Sequence, residues 1–200
     1  MKKKGKKESV GKRRNTKRGI WKESLSYLKE TRNYIFIAVF IFFISALIGF
    51  LFSSEFTFFD PILRELAGKI EGLSLLQLMW FIFQNNITSA FIVVIFGVVL
   101  GIFPVINALT NGVLLGYVFS KASAIAGFSV IWFLLPHGIF ELPAIFIALG
   151  LGMNFGMFIF SKNKKKEFVR RFYGSMKVFF SIVLPLLIIA AIIEGILITL

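Results

Sequence analysis

The sequence contains no cysteine, a single histidine and few charged residues. The absence of cysteine excludes disulfide bonds, thiolate metal sites and a cysteine nucleophile. One histidine cannot form the H-E-x-x-H motif of zinc proteases, which needs two imidazoles, and no serine stands in a Gly-x-Ser-x-Gly setting. We therefore expect no enzymatic activity and no cofactor.

The chain is instead rich in long apolar segments. Of its 200 residues, 57% are hydrophobic and 16% are charged, a balance typical of multi-span membrane proteins. Each helix needs about 20 apolar residues to cross the hydrocarbon core. We predict an all-α fold, a polytopic membrane helical bundle that forms one integral membrane domain over residues 34–200. The predicted spans are 34–52, 78–103, 104–120, 136–161 and 177–200.

The basic residues are concentrated in two blocks. Residues 1–32 hold 13 of the 23 Lys and Arg residues, and residues 162–177 hold seven more. Both blocks are expected in the cytoplasm, where Lys and Arg of membrane proteins accumulate. Residues 75–161 then start outside and end at a cytoplasmic loop, which requires an odd number of crossings, and three fits their length. We predict a multi-pass plasma-membrane protein with a cytoplasmic N-terminus and its C-terminus outside.

Two segments precede the first span. Residues 1–19 are rich in Lys, Arg, Gly and Asn, which predicts a disordered basic cytoplasmic tail. In residues 20–33, Trp21, Leu25 and Leu28 recur at helical spacing among basic residues. This pattern predicts a juxtamembrane amphipathic helix held by anionic lipids of the bilayer. Nucleic acid is the weaker alternative partner, because the basic tail lacks aromatic residues for base stacking.

A second amphipathic helix is predicted at residues 56–74 on the outer surface. Asp60 precedes Pro61 as a helix cap would, and Gly72 is placed to end the helix. Later in the chain, residues 122–135 are expected to form an apolar outer connection. Pro185 is expected to bend the last span, because it removes a backbone hydrogen bond.

Few polar side chains fall at membrane depth, where they are costly and usually face a partner or a cavity. The candidate intramembrane polar site consists of Asn85, Asn86, Asn107, Asn111, His137 and Glu141. Further polar groups at this depth are Gln84, Thr88, Ser89, Thr110, Asn154 and Glu194. For the asparagines, hydrogen bonding between helices is favoured over a substrate pathway.

The segment 136–143 holds two ionisable side chains close together in sequence, His137 and Glu141. They are four residues apart, so a helix places them on one face, with about 6 Å between their Cβ atoms. Pro143 frees the carbonyl of Ile139 beside them. The group could bind a proton or a cation, or it could form a structural network that fixes helix register, which is the favoured interpretation. A metal site at His137 and Glu141 is the least favoured interpretation, since it needs further ligands from Glu194, asparagines or a second subunit.

Glycines at fixed spacing predict close helix packing. The predicted close-packing glycines are Gly97, Gly101, Gly112, Gly116 and Gly138, with a further pair at Gly152 and Gly156. Such faces also serve contacts between chains, so a homo-oligomer stays an open expectation.

Two segments carry a family resemblance. Residues 81–116 read FIFQNNITSAFIVVIFGVVLGIFPVINALTNGVLLG, and residues 136–152 read PHGIFELPAIFIALGLG. The order of an Asn-Asn pair, a Gly-x-x-x-Gly, an Asn-Gly followed by Leu-Gly, and a Pro-His-Gly-x-x-Glu resembles the stage II sporulation protein M family of integral membrane proteins. This resemblance covers about residues 75–160. The motif positions are Asn85, Asn86, Asn107, Asn111, Gly112, Gly116, His137, Gly138 and Glu141, and no catalytic role comes with them.

The resemblance implies five spans and, from the family's namesake, a role in organising peptidoglycan-degrading partners at the engulfing septum of spore formers. Because the family extends beyond spore formers, sporulation itself is not carried over. The first functional hypothesis is a non-enzymatic membrane scaffold or assembly component that binds other membrane or envelope proteins. The alternative is a small transporter, channel or permease subunit that uses the His/Glu/Asn polar site.

Overall fold

The computed structural model describes the backbone of residues 3–198 and the side chains of residues 19–129, 131 and 138–197. The described backbone is helical nearly throughout and contains no strand, so the all-α prediction is confirmed. Five stretches are long and apolar enough to cross a membrane. The helices are α1 (Lys3–Leu51), α2 (Asp60–Ile70), α3 (Leu75–Phe96), α4 (Ile102–Ala126), α5 (Ile131–Gly156), α6 (Lys164–Val178) and α7 (Leu184–Ile198).

Helix α1 is longer than the sequence predicts. Its backbone is helical from Lys3, so the structure differs from the expected disordered tail at 1–19 and from a break between 20–33 and 34–52. No proline interrupts residues 1–60, and Lys, Arg and Glu are good helix formers, so the span extends backwards without a new nucleation cost. The buried face of α1 repeats at helical spacing and comprises Ser24, Tyr27, Thr31, Ala38, Phe42 and Ser45.

Helix α2 lies where the outer amphipathic helix is predicted. It starts at Asp60, has Pro61 in its first turn and ends at Ile70, shortly before Gly72 with φ +77°. Asp60 is not the cap, because Phe59 holds that position and makes no side-chain bond. The Asp60 carboxylate instead accepts a hydrogen bond from the hydroxyl of Tyr117, a fully buried side chain of α4 that needs a polar partner.

The second and third spans divide earlier than expected. The predicted boundary lies between residues 103 and 104, whereas the chain turns over residues 97–101. Leu100 and Gly101 adopt positive φ angles of 55° and 68° there, and Gly101 can do so without strain. Helix α4 then runs on to Ala126, and a glycine with φ +71°, Gly127, turns the chain into α5. The expected connection at 122–135 is therefore reduced to a few residues.

The last span is continuous with α6 through one π-helical turn, Phe179–Val183. Pro185 lacks the N–H that would bond the carbonyl one turn before it, and a π-turn accommodates such a missing bond. The hydroxyl of Ser181 within this turn donates to the carbonyl of Lys177 at 2.6 Å. The irregularity at Pro185 is thus a π-turn within the helix.

Helix α5 is the centre of the bundle. It packs against α1, α3, α4, α6 and α7, and its residues 148–156 are all buried. Small side chains and glycines make this possible, because they let neighbouring backbones approach closely. Asn154, the polar residue of this stretch, is therefore enclosed by other helices.

Candidate intramembrane polar site

A cavity of about 160 Å³ lies between α3, α4 and α5 and is called the inner cavity below. Its polar lining comprises Asn85, Asn86, Ser89, Asn107, Asn111 and Glu141. The structure thus brings together five of the six residues that the sequence places in the polar site. They come from three different helices, so only the tertiary packing makes them neighbours.

The amides of the inner cavity bond to one another. Asn111 Nδ2 donates to the carbonyl oxygen of Asn107 at 2.9 Å and to its Oδ1 at 3.0 Å. Asn85 Nδ2 donates to Asn86 Oδ1 at 3.4 Å. Asn86 of α3 and Glu141 of α5 both line this cavity. These bonds lie within α4 and within α3, and they pair amides that would be costly to leave unpaired between packed helices.

A second carboxyl lies close to Glu141. Glu194 of α7 interacts with it electrostatically, and Glu194 Oε2 is buried without a hydrogen-bond partner. In the described side chains of α3, α4, α5 and α7, the only basic group is Lys121. Its ammonium lies 5.4 Å from the ring centre of Tyr117, ten residues or about 15 Å along α4 from Asn111. Neither carboxyl therefore has a basic partner among these side chains.

Glu194 is absent from the six-residue site that the sequence predicts. The available signal was a lone carboxyl in an otherwise apolar final span. Its proximity to Glu141 depends on α7 packing against α5, which no local pattern predicts.

The pairing of His137 with Glu141 stays a prediction. The backbone places them one turn apart on α5, but the side chain of His137 lies outside the described residues. In the described part of the chain, no three His, Cys, Asp or Glu side chains cluster as metal ligands.

An outer groove of about 510 Å³ adjoins the inner cavity on the surface of α3 and α4. Asn85, Ser89 and Asn107 line both spaces. The remaining lining of the groove is Phe81, Gln84, Thr88, Ile92 and Phe103. Four polar side chains of α3 are exposed on the bundle surface here, namely Gln84, Asn85, Thr88 and Ser89.

Two glycines of α4 hold it against α1. A Cβ on Gly112 would meet Ser45 Cβ at 2.8 Å, and one on Gly116 would meet the backbone nitrogen of Phe50 at 2.8 Å. Real Cβ atoms almost never approach so closely. These positions are therefore backbone contacts between helices.

The other predicted glycines behave differently. Gly97 and Gly101 do not form a helix face but lie at the start and end of the α3–α4 turn, where Gly97 approaches the Cα of Gly152. Gly138 is not a close-packing position, because a Cβ there would meet only the side chain of Leu142 at an ordinary 3.5 Å. Gly138 instead lines an apolar groove.

A separate buried network joins α1, α5 and α6. Asn154 is 2% exposed, and its Nδ2 donates to the Tyr27 hydroxyl at 3.0 Å and to Thr31 Oγ1 at 3.2 Å. Arg171 Nη1 donates to the Asn154 carbonyl oxygen at 2.6 Å and also to its Oδ1. Sequence reasoning singled out only Asn154, because its partners lie more than 100 residues away or in the polar segments beside the spans.

The fold and the cavity define a class: a polytopic helical membrane protein whose five spans enclose amide and carboxyl side chains. The sequence profile of the family described as stage II sporulation protein M matches residues 36–197, and the chain belongs to this family. It is also similar to an uncharacterized protein of Methanocaldococcus jannaschii, with 28% identity over 190 residues that cover 87% of this chain and 85% of that protein. No solved structure matches the chain significantly.

Proposed function

We propose that this protein is a non-enzymatic scaffold of the cell envelope that binds transmembrane helices of other envelope proteins through the polar surface of α3. The supporting observation is the exposure of Gln84, Asn85, Thr88 and Ser89 on one side of a membrane-spanning helix. The family's namesake, an organiser of envelope partners, favours the same role.

Exposed amides are unfavourable against lipid tails, which offer no hydrogen-bond partner. A partner helix that lies along the outer groove would cover Gln84 and Thr88 and could exchange hydrogen bonds with both. The groove is also flanked by Phe81, Ile92 and Phe103, whose apolar surface suits an apolar helix. The occupant that fits is therefore a mostly apolar transmembrane helix with one or two polar side chains at mid-span.

We expect photo-crosslinking to detect this partner at the groove. A benzophenone amino acid at position 84 or 88, introduced one at a time in living cells, should give an adduct with another protein, of the same mass at both positions. The matched control is position 40, because Phe40 is 67% exposed on the apolar surface of α1. Its adduct yield should be at least about tenfold lower.

Equal yields at positions 40, 84 and 88 would contradict the proposed docking surface. An adduct of twice the mass of the chain would also overturn the proposal, since the groove would then be an interface between two copies.

The orientation forms part of the proposal: a cytoplasmic N-terminus and an outside C-terminus in the cell membrane. Its support is that the two basic blocks lie at the same end of the bundle, because Arg170 pairs with Glu30 at 2.7 Å and Lys177 pairs with Glu23. A shared basic end suits the cytoplasmic leaflet and its anionic lipids.

Cysteine accessibility tests this orientation directly, because the chain has no native cysteine. Ser26 lies at the basic end of α1 and Ser54 lies just beyond its other end, and both serines are exposed. The two test variants are Ser26→Cys and Ser54→Cys. A membrane-impermeant maleimide should label Ser54→Cys in intact cells and Ser26→Cys only after the cells are permeabilised. The reverse labelling pattern would invert the proposed topology.

The inner cavity favours a second candidate function, a small transport or channel subunit. The observation that supports this function is a continuous polar lining. Asn85, Ser89 and Asn107 line both the outer groove and the inner cavity beside Glu141. A solute that entered from the groove would reach a carboxyl at membrane depth, as in many transporters.

A further inference from the structure

We propose that the inner cavity binds one alkali-metal cation, with the Glu141 carboxylate as its charged ligand and asparagine side-chain oxygens as neutral ligands. This site goes beyond the scaffold proposal, which concerns the exposed surface of α3. It would occupy the place where α3, α4 and α5 meet, so it would also stabilise their packing.

The first argument is charge. An ionised carboxylate inside a bilayer needs a compensating positive charge. The described residues that line the inner cavity include one carboxyl, that of Glu141, and no basic side chain. Glu194 of α7, a helix that packs against α5, also has a buried Oε2 without a hydrogen-bond partner. A cation in the inner cavity would neutralise this region.

The second argument is ligand type. The cavity wall presents amide groups from Asn85, Asn86, Asn107 and Asn111 around the single carboxyl of Glu141. Carboxylate and carbonyl oxygens are the ligands that hard cations prefer. One carboxylate among neutral amides gives a site of charge −1, which matches a monovalent cation such as Na⁺ or K⁺.

The third argument is size and access. A volume of about 160 Å³ corresponds to about five water molecules at 30 Å³ each, enough for a cation with part of its hydration shell. The shared lining with the outer groove, at Asn85, Ser89 and Asn107, provides a polar route to the site. A bulky organic cation such as N-methyl-D-glucamine exceeds this space.

Thermal unfolding of the purified full-length protein in lipid nanodiscs tests the site. NaCl or KCl should replace N-methyl-D-glucamine chloride stepwise at constant ionic strength. We expect a saturable rise in Tm of about 5 °C or more when the cation reaches a hundred times its Kd. Glu141→Gln, which keeps the shape and removes the charge, should abolish the rise.

The matched control is Glu65→Gln. Glu65 is an exposed carboxyl of α2 that pairs with Lys69, so this variant should keep the full cation-dependent rise. Asn111→Ser keeps a polar side chain while withdrawing the amide, and it should raise the cation concentration at half-saturation about tenfold. It also supplies the test if Glu141→Gln does not fold.

Three results would overturn the site: no saturable rise in the unmodified protein, an equal rise in Glu141→Gln, or a rise with Ca²⁺ at concentrations where Na⁺ and K⁺ have no effect. The first two would mean that Glu141 holds no cation, and the third that the cation is divalent. None of them affects the crosslinking result at positions 84 and 88, so the scaffold proposal and the cation site can fail separately.

Discussion

Replacing Gly116 with leucine is expected to separate α4 from α1 and to remove most of the folded protein. A side chain at this position would collide with the carbonyl group of Ala46 and the backbone nitrogen of Phe50 on α1. Backbone atoms cannot rotate away as a flexible side chain can, so one helix would have to move along the contact. Overpacking costs about 1–3 kcal/mol even where neighbours can adjust, and we expect a cost of about 3 kcal/mol or more here.

The measurement is the yield of monodisperse protein after detergent extraction, followed by its Tm. We expect the yield of Gly116→Leu to fall at least about tenfold. Gly68→Ala is the control, because Gly68 lies within α2 with nothing within 4 Å of its Cβ position. That change should leave the yield intact and stabilise α2 by up to about 1 kcal/mol through better helix propensity. A normal yield of Gly116→Leu would show that the α1–α4 contact is not tight.

Replacing Asn154 with leucine should cost about 2–3 kcal/mol of unfolding free energy. The change leaves the Tyr27 hydroxyl and Thr31 Oγ1 without the amide donor, and it withdraws the side-chain acceptor from Arg171. Groups left unpaired in a buried site lose about 1–3 kcal/mol, and charged ones more. Because α1, α5 and α6 all meet at Asn154, the loss of these hydrogen bonds should destabilise the three helices together.

Asn33→Leu is the matched control, because Asn33 is exposed on α1 and the same chemical change there removes no buried bond. It should shift the unfolding free energy by less than about 0.5 kcal/mol. A double-mutant cycle with Arg171→Met should show a coupling of about 1 kcal/mol or more, since Arg171 Nη1 donates to the Asn154 side-chain Oδ1. Additive effects would contradict the network and point to separate packing losses.

Much of the fold could be predicted from apolar length and charge. An unbroken apolar run of about 20 residues has few alternatives to a spanning helix, so the number of spans followed from composition and from the two basic blocks. Helix α2 was also predictable, because Pro61 and Gly72 mark its ends by backbone geometry alone.

The boundaries within residues 75–161 were harder to predict. No charged loop separates α3 from α4, and the turn at Leu100 and Gly101 relies on glycine packing against α5. Glycines 97 and 101 have the spacing of a helix-packing motif, and only the structure distinguishes a turn from a helix face. The backbone before residue 20 differs from expectation for a related reason, since a stable helix can extend into a polar tail that would not fold alone.

By itself, the sequence determined that this chain is a five-span, all-helical membrane protein of the stage II sporulation protein M family, because hydrophobic length and motif order are local properties. It also predicted which polar side chains fall within the spanning segments. The tertiary structure decided which of them meet: asparagines of α3 and α4 around Glu141, Glu194 beside it, and Asn154 with Arg171. Those neighbours are set by how α5 packs against four other spans, and contacts over such separations leave no mark on local sequence.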